Sequence, residues 1–181
     1  MSFERGAPLM TQPLHFEDLC PGDSWDSPWR EISAEDVADF ANLTGDHDPL
    51  HTDQLIDQDS PFGGPVAHGL LGLSVLAGLS SQHPAVATLA LVAVREWTFL
   101  SPIFFGDSVR ARTRVLSVVR HGRRAGRVTW VRELVNREGR VVQRGQFETL
   151  VATQARQQVA NQARQQVSNR NHNATPVSET G

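Results

Sequence analysis

The hydrophobic pattern of this chain changes period once, near Pro84, and that change constrains the fold more than any other feature. From His68 to about Ser81 the sequence includes Gly-Leu-Leu-Gly-Leu-Ser-Val-Leu-Ala-Gly-Leu, apolar nearly all round, with small residues where neighbours would crowd it. Such a helix is buried on most sides, and it is too short to span a bilayer. After Pro84 the period becomes two. Four extended segments are predicted, at about 88–101, 107–120, 124–138 and 140–152, separated by turn signals at Phe105-Gly-Asp, His121-Gly and Glu138-Gly. Val109, Ala111, Thr113 and Val115 alternate with arginines, and Val128, Trp130, Arg132 and Leu134 continue the habit. A meander of long antiparallel strands following one buried helix is an α+β arrangement, in which the sheet must wrap the helix.

Upstream, a first strand is expected between Trp25 and Ile32. Ser33 then offers a helix N-cap with Asp36 three positions on, and Val37, Phe40, Ala41 and Leu43 follow at helical spacing until Gly45. This short helix delivers the chain into a polar, turn-rich loop at 46–65. Loops of that length are uncommon unless functional or disordered, and this one carries the densest set of ionisable residues in the chain. Residues 1–15 read as a loose leader and 16–153 as one folded domain. Residues 154–181 read as a polar tail with a near-exact eight-residue repeat (154–161 and 162–169), a solvated, fraying helix or disorder.

Composition removes several classes of function. A net charge of −3 gives no basic field for nucleic acid. All 17 basic residues other than histidine are arginine, so lysine nucleophiles and Schiff bases are excluded. Cys20, the single cysteine, rules out an internal disulfide or a multi-cysteine zinc site, and beside a turn it reads as a buried or idle thiol. With no basic-then-apolar leader and no long apolar run, a soluble, cytoplasmic protein is expected.

Two stretches carry chemistry. In Thr44-Gly-Asp-His-Asp-Pro-Leu-His51, Asp46 and His51 lie five apart with Pro49 stiffening the bend between them. A carboxylate and an imidazole side by side can grip one water and move protons in both directions. In Pro61-Phe-Gly-Gly-Pro-Val-Ala-His-Gly69, Gly69 opens the buried helix, whose first N–H groups lack intrahelical partners. Those donors suit an oxygen acquiring negative charge. A tight loop-to-helix junction would use the same glycine.

Together the two stretches resemble the hydratase-2 signature of MaoC-like dehydratases, the family of the (R)-specific enoyl-CoA hydratases. Residues 99–107 and 16–23 are also similar to family segments, so the likeness covers about 16–153. The resemblance implies a hotdog fold, a curved antiparallel sheet around a long central helix, and pairing into a homodimer, with hexamers of dimers conceivable. It implies an acyl thioester of coenzyme A or acyl carrier protein as substrate, with no cofactor or metal. It assigns catalysis to Asp46, His51 and Gly69. Asp48 stands where the family usually has Asn; an ionised Asp only accepts hydrogen bonds, so water orientation or acyl preference is expected to differ.

The expected reaction is reversible, (R)-specific hydration of a 2-enoyl thioester. Asp48 and His68 are expected beside the substrate, and the acyl chain along Leu70, Leu73 and Ser74, positions that a plain core helix explains equally well. Arg110, Arg112 and Arg114 could meet coenzyme A phosphates or simply form a solvated strand face. Three alternatives stay open: a thioesterase on the same fold, a metal site among Asp46, His47, Asp48, His51 and Asp53, and a non-catalytic acyl-binding subunit.

Overall fold

The computed structural model describes residues 12–52 and 61–156, together with positions 158, 159, 162 and 165 of the tail. Strands β1 (Ser24–Asp26) and β2 (Arg30–Glu31) precede helices α1 (Ala34–Thr44) and α2 (Gly69–Ser80). Four long strands follow: β3 (Thr88–Phe99), β4 (Ser108–His121), β5 (Ala125–Asn136) and β6 (Val141–Ala152). They form one antiparallel sheet in the order β1-β4-β5-β6-β3, with β2 also paired to β4. The four strands and the buried helix lie within two residues of their predicted limits.

Alternation drives the packing. Val109, Ala111 and Val115 of β4, Val128, Trp130 and Leu134 of β5, and Val142 and Phe147 of β6 are buried together against Leu71 and Leu76 of α2. Leu76 is fully buried, which stabilises the fold by roughly 1.5–3 kcal/mol. Gly72 lets the helix approach the sheet closely, since a Cβ there would lie 2.3 Å from Gln143 Nε2. In β3 the register slips between Arg95 and Thr98, with Glu96 at φ 52°. A bulge of this kind re-aims side chains, and here Trp97 packs over Gly145, where a Cβ would meet its ring.

The expected single strand at 25–32 is two short ones. Pro28 has no N–H for the ladder, and Ser27 replaces it locally: its backbone N–H bonds Ala111 O and its hydroxyl accepts from Ala111 N. Ser33 caps α1 as predicted, accepting from Asp36 N while Asp36 accepts from Ser33 N. That backbone hydrogen bond, with Arg30 beside it, holds the Asp36 carboxyl below its ordinary range. Leu14 exchanges backbone hydrogen bonds with Ala85 and Ala87, so the last residues of the supposed leader are fastened to the fold. Cys20 is exposed rather than buried. Residues 1–11 and most of the repeat lie outside the described residues, and no helix among those described is long and apolar enough to cross a membrane.

Candidate active site

The site is spliced from two segments. The first is the C-terminal end of α1, where Gly45 (φ 77°) takes the left-handed conformation and its N–H caps Ala41 O. The chain then turns through Asp46 into a single 3-10 turn at Pro49–His51. The second is the strand-like approach Val66-Ala67-His68, which ends at the N-terminus of α2. Two side chains join them. His51 Nδ1 lies 2.7 Å from Val66 O, and His68 Nε2 lies 3.0 Å from Asp46 O.

Carbonyl oxygens only accept, so these bonds fix the tautomers of the neutral rings. His51 carries its proton on Nδ1 and leaves the Nε2 lone pair free to take a proton. His68 carries its proton on Nε2. His68 is 2% exposed and packed between Phe40 and His51, with ring centroids 5.1 and 3.8 Å away. Its Nε2 is also 3.9 Å from Asp46 Oδ2. One polar atom from each of Asp46, His51 and His68 lies within 4.8 Å of the others. Asp46 itself is exposed, with its Oδ1 accepting weakly from Asp48 N at 3.4 Å.

A cleft of about 260 Å³ opens beside this cluster, lined by His51 and Gly69 together with Phe62, Phe99, Ile103 and Gln143 among others. Gly69 lets the Phe99 ring lie against the start of α2, since a Cβ there would be 2.9 Å from that ring. Its N–H heads α2, at the positive end of the helix, where backbone donors lack intrahelical partners. Of the residues expected around substrate, His68 is buried against His51 and Asp46 rather than in the cleft lining. Asp48 caps the 3-10 turn, accepting from Leu50 N at 2.9 Å. Leu70 is 59% exposed, Ser74 bonds Leu70 O, and neither they nor Leu73 line this cleft. His47 is exposed and Asp53 lies outside the described residues. Arg110 and Arg112 already pair with Asp26, at 2.9 and 3.3 Å.

Sequence reasoning missed Gln143. It is 2% exposed on β6, and its Nε2 donates to Gly69 O at 3.1 Å, pinning the first turn of α2. Flanked by Arg144 and Gln146, it reads in the sequence as one more solvated polar residue. The register shift opposite Leu134 and Val135 buries Val142 and Gln143 consecutively and hides the alternation.

Known proteins resemble this chain in sequence and in fold. The chain is 34% identical over 127 residues to Protein MaoC of Klebsiella aerogenes, covering 67% of this chain and 38% of that protein. It is 33% identical over 113 residues to a 3-hydroxybutyryl-CoA dehydratase of Methylorubrum extorquens, covering 62% of this chain and 70% of that one. Among solved structures, a MaoC-like dehydratase from Rhodospirillum rubrum superposes with a TM-score of 0.70 at 28% identity, over 78% of this chain and 98% of that chain. Rv0216 of Mycobacterium tuberculosis, described as a double hotdog fold, gives 0.69 at 22% identity, over 78% and 44%. The sheet wrapped on α2 is thus a hotdog fold. With the MaoC like domain model matching residues 18–137 across both halves of the spliced site, the chain belongs to the MaoC-like domain family.

Proposed function

We propose that this protein catalyses reversible hydration of a 2-enoyl thioester to the (R)-3-hydroxyacyl thioester, carried by coenzyme A or acyl carrier protein. The observation that carries the reading is the fixed tautomer of His51, which leaves Nε2 able to take a proton on a ring that clusters with Asp46 and lines the cleft headed by Gly69. The dehydratase names of relatives support the same reaction class.

In this reading the thioester carbonyl accepts from the Gly69 N–H, which stabilises the developing enolate. Asp46 and His51 hold one water between them. One takes its proton as oxygen adds to C3, and the other protonates C2 on the same face. His68 is a positioning residue: it holds the Asp46 backbone and one face of the His51 ring. The reaction needs acid–base chemistry alone, so no cofactor is required. A cytoplasmic location is part of the same proposal.

The active form is a homodimer. Strand β3 is a sheet edge with Leu89, Leu91, Val92 and Val94 between 37% and 56% exposed. A long apolar edge is a template for another strand, and a two-fold axis beside β3 would pair it with a second copy. Purified protein is assayed by loss of the conjugated absorbance of crotonyl-CoA, with Asp46→Asn as control and enantiospecific dehydrogenases reading the product. An (R) product lost in the variant supports the reading. Release of free coenzyme A would replace it with a thioesterase, and absence of turnover across enoyl chain lengths would remove the assigned reaction.

A further inference from the structure

The first turn of α2 is weak by its own sequence. Two of its first four residues, Gly69 and Gly72, are glycines, and glycine stabilises a helix less than alanine by up to about 1 kcal/mol. His68 stands at the N-cap but makes no side-chain capping bond. Its ring is committed elsewhere, with Nε2 on Asp46 O. The first helical hydrogen bond, from Gly72 N to His68 O, is long at 3.3 Å. Yet Gly69 is the residue whose N–H the proposed hydration uses, and glycine has more backbone freedom than any other residue. Something outside the helix must hold it.

Gln143 does so from β6, where strands flank it on both sides, with Leu134 of β5 and Phe99 of β3 as its register partners. Its Nε2 donates to Gly69 O at 3.1 Å. Just upstream, the Ala67 N–H bonds Ile103 O at 2.8 Å. These two bonds grip the chain before and after the Gly69 N–H and so limit the directions it can take. A carbonyl only accepts, so the amide nitrogen of Gln143 is committed to Gly69 and Oε1 is turned away from it. Among the described residues Oε1 is buried without a partner. An orphaned buried acceptor costs about 1–3 kcal/mol, which an apolar side chain of the same size avoids. The fold thus gives up stability to keep one donor at one carbonyl.

We propose that Gln143 is a positioning residue for the oxyanion donor: its amide holds the first turn of α2 so that the Gly69 N–H stays aimed at the thioester oxygen. The inference rests on the hydratase reading for its chemistry. Gln143 acts through the backbone rather than on the reacting atoms. Without its bond to Gly69 O the rest of the cleft lining stays in place and the donor drifts. The loss then falls mainly on the transition state, where negative charge develops on that oxygen, and little on ground-state binding.

The test compares wild type with Gln143→Met, which keeps the length of the side chain and removes the donor, in the crotonyl-CoA assay. The kcat is expected to fall roughly ten- to hundred-fold, as for a catalytic group misplaced by about 1 Å, with KM little changed. Gln143→Glu serves if the methionine variant misfolds. Its carboxyl donates to Gly69 O only when protonated, so its kcat relative to wild type should climb as pH falls. Dividing by wild type removes the titration of Asp46, His51 and His68. A readout without turnover is the infrared carbonyl stretch of isotope-labelled butyryl-CoA bound to each protein, which a hydrogen bond to that oxygen lowers. The stretch should lie higher in Gln143→Met, and in Gln143→Glu at high pH, than in wild type. Unchanged kcat in Gln143→Met, a rise of KM alone, a pH-independent ratio for Gln143→Glu, or a carbonyl stretch equal to that of wild type would each overturn the proposal. So would failure of wild type to bind butyryl-CoA. If wild type binds butyryl-CoA but does not hydrate enoyl thioesters, the hydratase reading falls and the carbonyl stretch alone decides the role of Gln143.

Discussion

Gly72→Ala tests whether α2 is held where the site needs it. By helix propensity alone the substitution should stabilise the protein by about 1 kcal/mol. The structure reverses the sign. The added Cβ would stand 2.3 Å from Gln143 Nε2, 2.9 Å from Ile103 Cδ1 and 3.0 Å from Gln143 Cδ. Two of these atoms belong to a side chain that is 2% exposed and cannot swing into solvent. Overpacking of this kind costs about 1–3 kcal/mol. Displacing Gln143 also breaks its bond to Gly69 O, worth about 1 kcal/mol. The net expectation is a loss of about 1–3 kcal/mol, and a melting temperature lower by roughly 2–10 °C. Thermal and urea unfolding at one fixed protein concentration measure it, since assembly shifts apparent stability. In a Gln143→Ala background most of the cost should vanish, because the closest clash, at 2.3 Å, and the one at 3.0 Å are gone and only Ile103 Cδ1 at 2.9 Å remains. A Gly72→Ala protein that melts at or above wild type, or a cycle with no coupling to Gln143, would refute the reasoning.

Other outcomes follow from named contacts. Ser33→Ala removes the cap of α1 and should cost about 1 kcal/mol, measured by urea unfolding. The acid limb should respond too. The folded Asp36 pKa is depressed chiefly by the Ser33 N–H, so its contribution is present above the unfolded carboxylate pKa and is lost as pH falls through the folded value. Arg30→Gln, which removes a smaller part of that depression, should flatten stability against pH only in that acidic window. Trp130→Phe leaves Thr149 Oγ1 without its buried donor, now 2.8 Å away, and should cost about 1–3 kcal/mol. Incubation with EDTA should leave hydration rates unchanged: His51 Nδ1 and His68 Nε2 already donate to backbone carbonyls. A rate restored only by added divalent ion would revive the metal reading. His68→Phe keeps the aromatic stack and loses the bond to Asp46 O, so kcat should fall more than KM rises.

The elements were legible wherever one physical signal dominated. The apolar run of α2 and the period-two strands announce themselves because each is buried on a defined face, and Ser33 and Gly45 mark the ends of α1 by hydrogen bonds that are local in sequence. Asp46, His51 and Gly69 were singled out by the family resemblance more than by spacing, and the structure brings His51 and Gly69 to one cleft with Asp46 close to His51. Pro28 splitting the first strand was overlooked, although a missing N–H is readable. Gln143 and the true position of His68 were not readable, because both depend on pairing between segments distant in the chain. The placement of Leu70 and Ser74 outside the cleft depends on how α2 is rotated against the sheet, which a helix apolar all round does not encode.

The splice through His68 ties the proposed active site to the less anchored of the two helices, α1. Helix α1 buries only Val37 and Ala41, whereas the sheet and α2 share the large core. Elements with few buried contacts open at lower free energy than the whole domain. Loosening the end of α1 would pull Asp46 from His68 and His51 while β3–β6 stayed paired. Heat should therefore switch this protein off before it melts. Its working temperature range is then set by one helix turn, and activity should return on cooling from any temperature short of global unfolding.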